Sequence, residues 1–127
     1  MIDFIIRGTP RSVQAKSKGK WQQQVREAVP AGIEVLPGSL RLRIDFFFKG
    51  STQLDTDNII KPIQDALVSI VYDDDKSVID VCARKINLLR LPHLVAVPSV
   101  LSSELVQQPS DFVFVRVAGA RNRLPFS

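Results

Sequence analysis

Four aspartates, Asp55, Asp57, Asp74 and Asp75, and one lysine, Lys61, are the residues whose types and spacing could do chemistry. A carboxylate cluster is costly to assemble unless something positive neutralises it, and a divalent cation is the obvious candidate. Hard oxygen donors without histidine or thiolate favour Mg²⁺, with Mn²⁺ as a substitute, over zinc. Lys61, beside the acidic group, could hold a phosphate or stabilise charge that builds up on it. Single residues also have plain structural readings: Asp57 as a helix N-cap, Asp65 paired with Lys61, and Asp73-Asp74-Asp75 as a turn. Asp55-Thr56-Asp57-Asn58 begins like an EF-hand loop, but Ile60 stands where glycine is needed and Ala66 where glutamate is needed, so that reading fails. An isolated Asp-x-Asp also opens some phosphatase and glycosyltransferase sites, which normally need larger domains.

These residues must be positioned by the elements around them. Ile59, Ile60, Ile63, Ala66, Leu67 and Ile70 share a helical apolar face, and Asp57, Lys61 and Asp65 lie opposite at i, i+4, i+8. Pro62 disfavours helical geometry at Lys61, so an irregular first turn is expected, with the regular helix starting near Pro62. Asp55 and Asp57 precede this helix and Asp74 and Asp75 follow it. Exposed helix ends would hold the two pairs about 20 Å apart, so convergence requires the Asp73–Asp75 loop to fold back, or a partner subunit to supply it.

Around this segment, alternation predicts a strand over Ile2–Ile6, a second over Leu40–Phe48 bounded by Gly38 and Gly50, a third over Val78–Leu89 and a last over Phe112–Val117. Trp21, Val25, Ala28 and Val29 recur at helical spacing until Pro30, and Ser99–Val106 is a possible short helix in the segment 91–110, whose role the residues do not reveal. The expected fold is α/β (α+β): one small domain over 1–127, with a mixed sheet packed against two main helices. Trp21 and Phe46 are expected in the core, Cys82 in the core of its strand, and Phe47 at an interface or substrate contact. His93 is assigned no role, and the tail Arg121-Asn122-Arg123 is expected to be mobile.

The chain has 127 residues and a net charge of +4, unevenly distributed. Residues 1–50 carry nine basic and four acidic residues, 51–80 carry two and seven, and 81–127 carry six and two. A basic framework around one acidic segment suits a metal-dependent enzyme acting on a polyanion, although a solvated acidic loop has the same counts. The run Arg7, Arg11, Lys16, Lys18 and Lys20, with Lys61 and Lys76 near the carboxylates, is the candidate DNA-facing set; Arg84 and Lys85 are weaker candidates. One cysteine excludes an internal disulfide, and no apolar run is long enough to span a membrane. The expected location is the cytoplasm, with no membrane partner and no small-molecule cofactor.

The whole string Asp55-Thr-Asp57-Asn58-Ile-Ile-Lys61-Pro-Ile-Gln-Asp65-Ala66-Leu67, followed by Val71-Tyr72-Asp73-Asp74-Asp75-Lys76-Ser77-Val78, strongly resembles the RusA family of Holliday-junction resolvases. That family's signature runs Asp-x-Asp-Asn-x-x-Lys-x-x-x-Asp-Ala-Leu, then a Val-Tyr-x-Asp-Asp turn. The resemblance implies a small mixed α/β fold and a homodimeric, Mg²⁺-dependent endonuclease that cuts four-way DNA junctions symmetrically. It places the family's metal-site carboxylates on Asp55, Asp57 and Asp75, with Asp74 adjacent, and its essential lysine on Lys61, making Asp55, Asp57, Lys61 and Asp75 the candidate catalytic set. Two departures stand out: Ser69 where the family often has glycine, and a segment 91–110 longer than the usual hairpin. The alternative function is a branched-DNA-binding module that keeps the carboxylates without cutting.

Overall fold

The computed structural model describes residues 1–91, 97–107 and 110–120. Four strands, β1 (Ile2–Arg7), β2 (Leu40–Phe48), β3 (Val78–Asn87) and β4 (Phe112–Gly119), form one mixed sheet in the order β1-β4-β2-β3. β4 runs antiparallel to both of its neighbours, whereas β2 and β3 are parallel. Parallel neighbours need a long crossover, and here it is the acidic segment, built around helix α2 (Thr56–Ala66).

Period-two alternation sorts the strand residues between two faces. Ile2, Phe4 and Ile6 of β1, Leu42, Ile44 and Phe46 of β2, and Val113, Val115 and Val117 of β4 bury one face. Helix α1 (Lys18–Ala28) covers that face with Trp21 and Val25, and α2 covers it with Ile59, Ile63 and Ala66. The second face is apolar only toward one end, where Phe47, Ile86, Phe112 and Phe114 meet Leu101 of helix α3 (Ser99–Val106). The fold is therefore α+β as expected, with two helices on one side and the short third on the other.

This double cover corrects the reading of Phe47. It is 1% exposed and stacks on Phe112 with ring centroids 4.7 Å apart, so it is a core residue under α3 and not a contact aromatic. The run Phe46-Phe47-Phe48 is continuous because the sheet is covered on both sides there. Cys82 is corrected the other way: β3 is the sheet edge, α3 reaches only its Ile86 end, and Cys82 is exposed. β3 also ends at Asn87, earlier than expected, because the Asn87 side chain turns to the N–H groups of Gly50 and Leu89. His93 and the Arg121–Arg123 tail lie outside the described residues.

The start of α2 differs from expectation as well. Asp55, not Asp57, occupies the N-cap with extended backbone angles, and the helix runs unbroken from Thr56 through Pro62. Proline inside a helix removes one hydrogen bond and costs ~3 kcal/mol. Here Pro62 is buried on the apolar face, and its carbonyl accepts a hydrogen bond from Gln22 Nε2 at 3.0 Å, joining α1 to α2. Beyond the helix Ser69 has φ 72°, the left-handed region, so the position where glycine is frequent in the resembled family is one that a side chain strains.

Candidate active site

The first turn of α2 carries two exposed carboxylates. Asp55 at the N-cap makes no side-chain capping bond, and Asp57 follows within the first turn. One turn on, Lys61 shares a face with Asp57 and Asp65 by helical spacing, and its Nζ lies 3.0 Å from Asp65 Oδ1.

The chain then folds back, as convergence requires. Ser69 turns it, and the Ser69 N–H donates to the Tyr72 carbonyl at 2.7 Å. Tyr72 is fully buried, and its hydroxyl donates to the Gln64 carbonyl at 2.7 Å. Burial pushes the phenol's pKa up, with the Asp65 and Asp75 charges adding to it, so the hydroxyl stays a donor. Gln64 Nε2 in turn donates to the Asp75 carbonyl at 3.5 Å. The result is that Asp75, half-buried, sits with Oδ2 3.5 Å from Lys61 Nζ. Tyr72 and Gln64 thus bring Asp75 back as far as Lys61, at the middle of α2.

Lys61 thus stands between two carboxylates, and its pKa is raised, first by the hydrogen bond and charge of Asp65 and then by Asp75. It is a fixed cation and not a proton acceptor at neutral pH. Asp74 has a structural duty: its Oδ1 accepts the Lys76 N–H at 3.0 Å, capping the 3-10 turn at Asp75–Ser77. That bond is the first cause of its lowered pKa, with the Asp75 side chain second.

As they lie, no three His, Cys, Asp or Glu side chains among the described residues are grouped closely enough to hold an ion. Bare carboxylates repel one another, and Asp75 satisfies its charge on Lys61 instead. The donor chemistry nonetheless suits a hard divalent cation: Asp55 and Asp57, two residues apart, are exposed at a helix N-terminus, with Asp75 returned toward the same helix.

The basic set divides. Arg7 is tied to the buried Glu104 of α3 through Nε at 3.1 Å and Nη2 at 3.0 Å, and Glu104 raises its pKa. Arg11 lines a cleft of about 320 Å³ between residues 9–15 and residues 51–54, immediately before Asp55. Lys16, Lys18 and Lys20 approach or begin α1, which packs on α2, and Lys76 is exposed beside Asp75. Of the weaker candidates, Arg84 is bound to Asp45 on the other face of the sheet, at 2.9 and 3.1 Å. Lys85 donates to the Leu54 carbonyl at 2.9 Å, bracing the residue before Asp55. Sequence reasoning did not single out Gln64 and Tyr72 as positioning residues. The available signal was an apolar-face helix followed by an aromatic hydroxyl just before the acidic run.

No curated protein matches this chain. The model of the endodeoxyribonuclease RusA family matches residues 6–96, which hold the end of β1 and all of α1, β2, α2 and β3, and so every candidate carboxylate. With the Asp-x-Asp helix start, the central lysine and the returning Asp75 in one crossover, the chain belongs to the RusA endodeoxyribonuclease family.

Proposed function

We propose that this chain, over its full length 1–127, is a Mg²⁺-dependent Holliday-junction resolvase that acts as a homodimer and cuts four-way DNA by paired symmetric nicks in recombination and repair, in the cytoplasm. The observation that carries the proposal is the return of Asp75 to within 3.5 Å of Lys61, on the helix that presents Asp55 and Asp57. A binding-only protein gains nothing from carboxylates held toward phosphate.

Asp55, Asp57 and Asp75 would hold Mg²⁺, with Asp74 flanking them, and the ion would supply Lewis acidity and an activated water. Mn²⁺ satisfies the same oxygen donors. Lys61 contributes a permanent positive charge for a phosphate oxygen, and Asp65 keeps it oriented when Asp75 turns to other duties. Gln64 and Tyr72 position the Asp75 loop. Arg11, Lys16, Lys18, Lys20 and Lys76 supply cations for the backbone. Arg7, although named with them, has its guanidinium engaged by Glu104 and contributes less. The outer edge of β3, which has no strand partner among the described residues and where Ile79 is 58% exposed, supports a second copy as partner, since apolar edge strands are commonly covered.

The test is cleavage of a labelled four-way junction and a matched linear duplex with Mg²⁺, for the wild type, Asp57→Asn and Asp75→Asn. Symmetric junction nicks that both substitutions abolish, with junction binding retained, are expected. Tight junction binding without cleavage in either Mg²⁺ or Mn²⁺ would show a binding module instead. Light scattering should give the mass of a dimer.

A further inference from the structure

The segment 49–54 carries the chain from β2 to Asp55 and holds no helix or strand of its own. Asp55 makes no side-chain capping bond, so its place is set by the backbone that delivers it. That backbone is gripped at Lys49, Gly50 and Leu54 by side chains from outside the segment.

Asp111, the residue before β4, accepts the Lys49 N–H on Oδ1 at 2.9 Å. Its Oδ2 accepts the Thr9 hydroxyl at 2.9 Å and its carbonyl accepts the Gly8 N–H at 3.0 Å, so the loops after β1 and β2 share one anchor. Asn87 grips Gly50 by both backbone groups: Oδ1 accepts the Gly50 N–H and Nδ2 donates to the Gly50 carbonyl, each at 3.2 Å. Gly50 has φ 90°, which a side chain would strain. Lys85 Nζ donates to the Leu54 carbonyl at 2.9 Å, while Thr52 Oγ1 accepts the Leu54 N–H at 3.2 Å and the Leu54 side chain packs against the core.

Lys85 and Asn87 stand two apart on β3, opposite Phe46 and Phe48, so alternation places both on the face that α2 covers. Neither belongs to a hydrophobic cluster: Lys85 is exposed and Asn87 half-buried. Their bonds to main-chain groups stiffen the segment where apolar packing does not. Residues of this kind orient the groups that hold an ion without touching it, and their loss typically costs about 10–100-fold in metal affinity or activity. We infer that Asn87, Lys85 and Asp111 are positioning residues that hold Asp55 in place for a divalent cation. The inference rests on the nuclease reading for what Asp55 does, and it assigns Lys85 to the loop and not to the DNA backbone.

The test applies three measurements to the full chain carrying Asn87→Ala, Lys85→Met or Asp111→Ala. Mn²⁺ affinity without DNA is read from the paramagnetic resonance of the free ion, junction binding in EDTA from anisotropy, and the chemical step from single-turnover cleavage at saturating junction. Each substitution should weaken Mn²⁺ binding and slow cleavage by about tenfold. Junction affinity and its salt slope should stay unchanged for Asn87→Ala and Lys85→Met. Lys85→Arg, which keeps a donor for the Leu54 carbonyl, should restore both Mn²⁺ affinity and cleavage. Asp111→Ala removes a negative charge, so a purely electrostatic role would tighten junction binding and leave the chemical step at the wild-type rate. Wild-type Mn²⁺ affinity in the Asn87 and Lys85 variants, or a salt slope lowered by about one in Lys85→Met, would overturn the inference. Circular dichroism checks the fold, and exposed Lys85 carries the test if Asn87→Ala does not fold. A wild type that binds Mn²⁺ yet cuts no junction would sink the nuclease reading alone, leaving the inference to stand or fall on the Mn²⁺ affinities; a wild type that binds no Mn²⁺ would overturn the inference itself.

Discussion

Two groups of acidic and basic residues lie on opposite faces of the same sheet, and they are finished differently. On the face that α3 partly covers, Asp45 is fully buried and both its oxygens are used: Oδ1 accepts from Arg84 Nε at 2.9 Å, and Oδ2 accepts from Arg43 Nε at 2.9 Å and Arg84 Nη2 at 3.1 Å. Nearby, Asp3 takes a two-pronged grip from Arg116 at 2.7 and 2.8 Å, and the guanidinium carbons of Arg43 and Arg116 stand 5.9 and 5.8 Å from the ring centre of Phe114. On the α2 face, Asp55 and Asp57 are exposed, and Asp75 meets Lys61 at 3.5 Å. The first group is a closed lattice whose charges have all found partners; the second keeps lone pairs free. A carboxylate that serves the fold is saturated, and one that serves chemistry is left available.

The largest effect should come from the open group. Asp57→Asn and Asp75→Asn are expected to lower junction cleavage by about 100-fold or more, as loss of a charge-stabilising group does, while the unfolding free energy from urea titration moves by no more than about 0.5 kcal/mol. EDTA should give the same loss of activity with no loss of fold. If either substitution unfolded the protein, the contrast with Asp45 would collapse.

The closed group should behave inversely. Asp45→Asn leaves two guanidinium groups without their anion. Breaking a buried pair costs about 3–5 kcal/mol, and because Arg43 and Arg84 are 33% and 49% exposed and can turn to water, about 2–3 kcal/mol is expected here. Equilibrium unfolding in urea measures it, and residual cleavage at low temperature should stay near the wild-type value.

Smaller effects sharpen the contrast within the open group. Ser69→Gly relieves the left-handed backbone at φ 72° and should stabilise by about 0.5–1 kcal/mol, net of the greater chain entropy of glycine. A thermal melt checks it, and cleavage should follow unchanged because the turn keeps its shape. Last, since Asp65 and Asp75 raise the Lys61 pKa, its charge is lost only above the ordinary lysine range. The cleavage profile should therefore show no lysine ionisation up to about pH 10, and Asp65→Asn, by removing the larger cause, should move any alkaline limb downward.

Much of this arrangement was legible before the fold. Alternation at Leu40–Phe48 marked β2, and the i, i+4, i+8 spacing of Asp57, Lys61 and Asp65 gave the helix face that Lys61 and Asp65 share. What periodicity reports is one residue's relation to its own element, so tertiary cover escaped it. Phe47 is buried because α3, far along the chain, lies over it, and Cys82 is exposed because none of the described residues does. Pro62 misled by its local rule, since burial against α1 outweighs the missing bond. Asp45, with its partners Arg43 and Arg84, was invisible for a related reason: the three residues lie on two strands whose register no local pattern reveals.

Because β2, α2 and β3 form one crossover, Asp55, Asp57, Lys61 and Asp75 all lie between two strands that must pair with each other. Such parallel pairing closes a long loop and is slow. Asp75 meets Lys61 only where Tyr72 is in the core and bonded to Gln64, which places that contact after the crossover has packed. On the proposed nuclease reading the chain thereby carries a timing safeguard: an incompletely folded copy on its way from synthesis lacks the Asp75–Lys61 contact and leaves the DNA around it uncut.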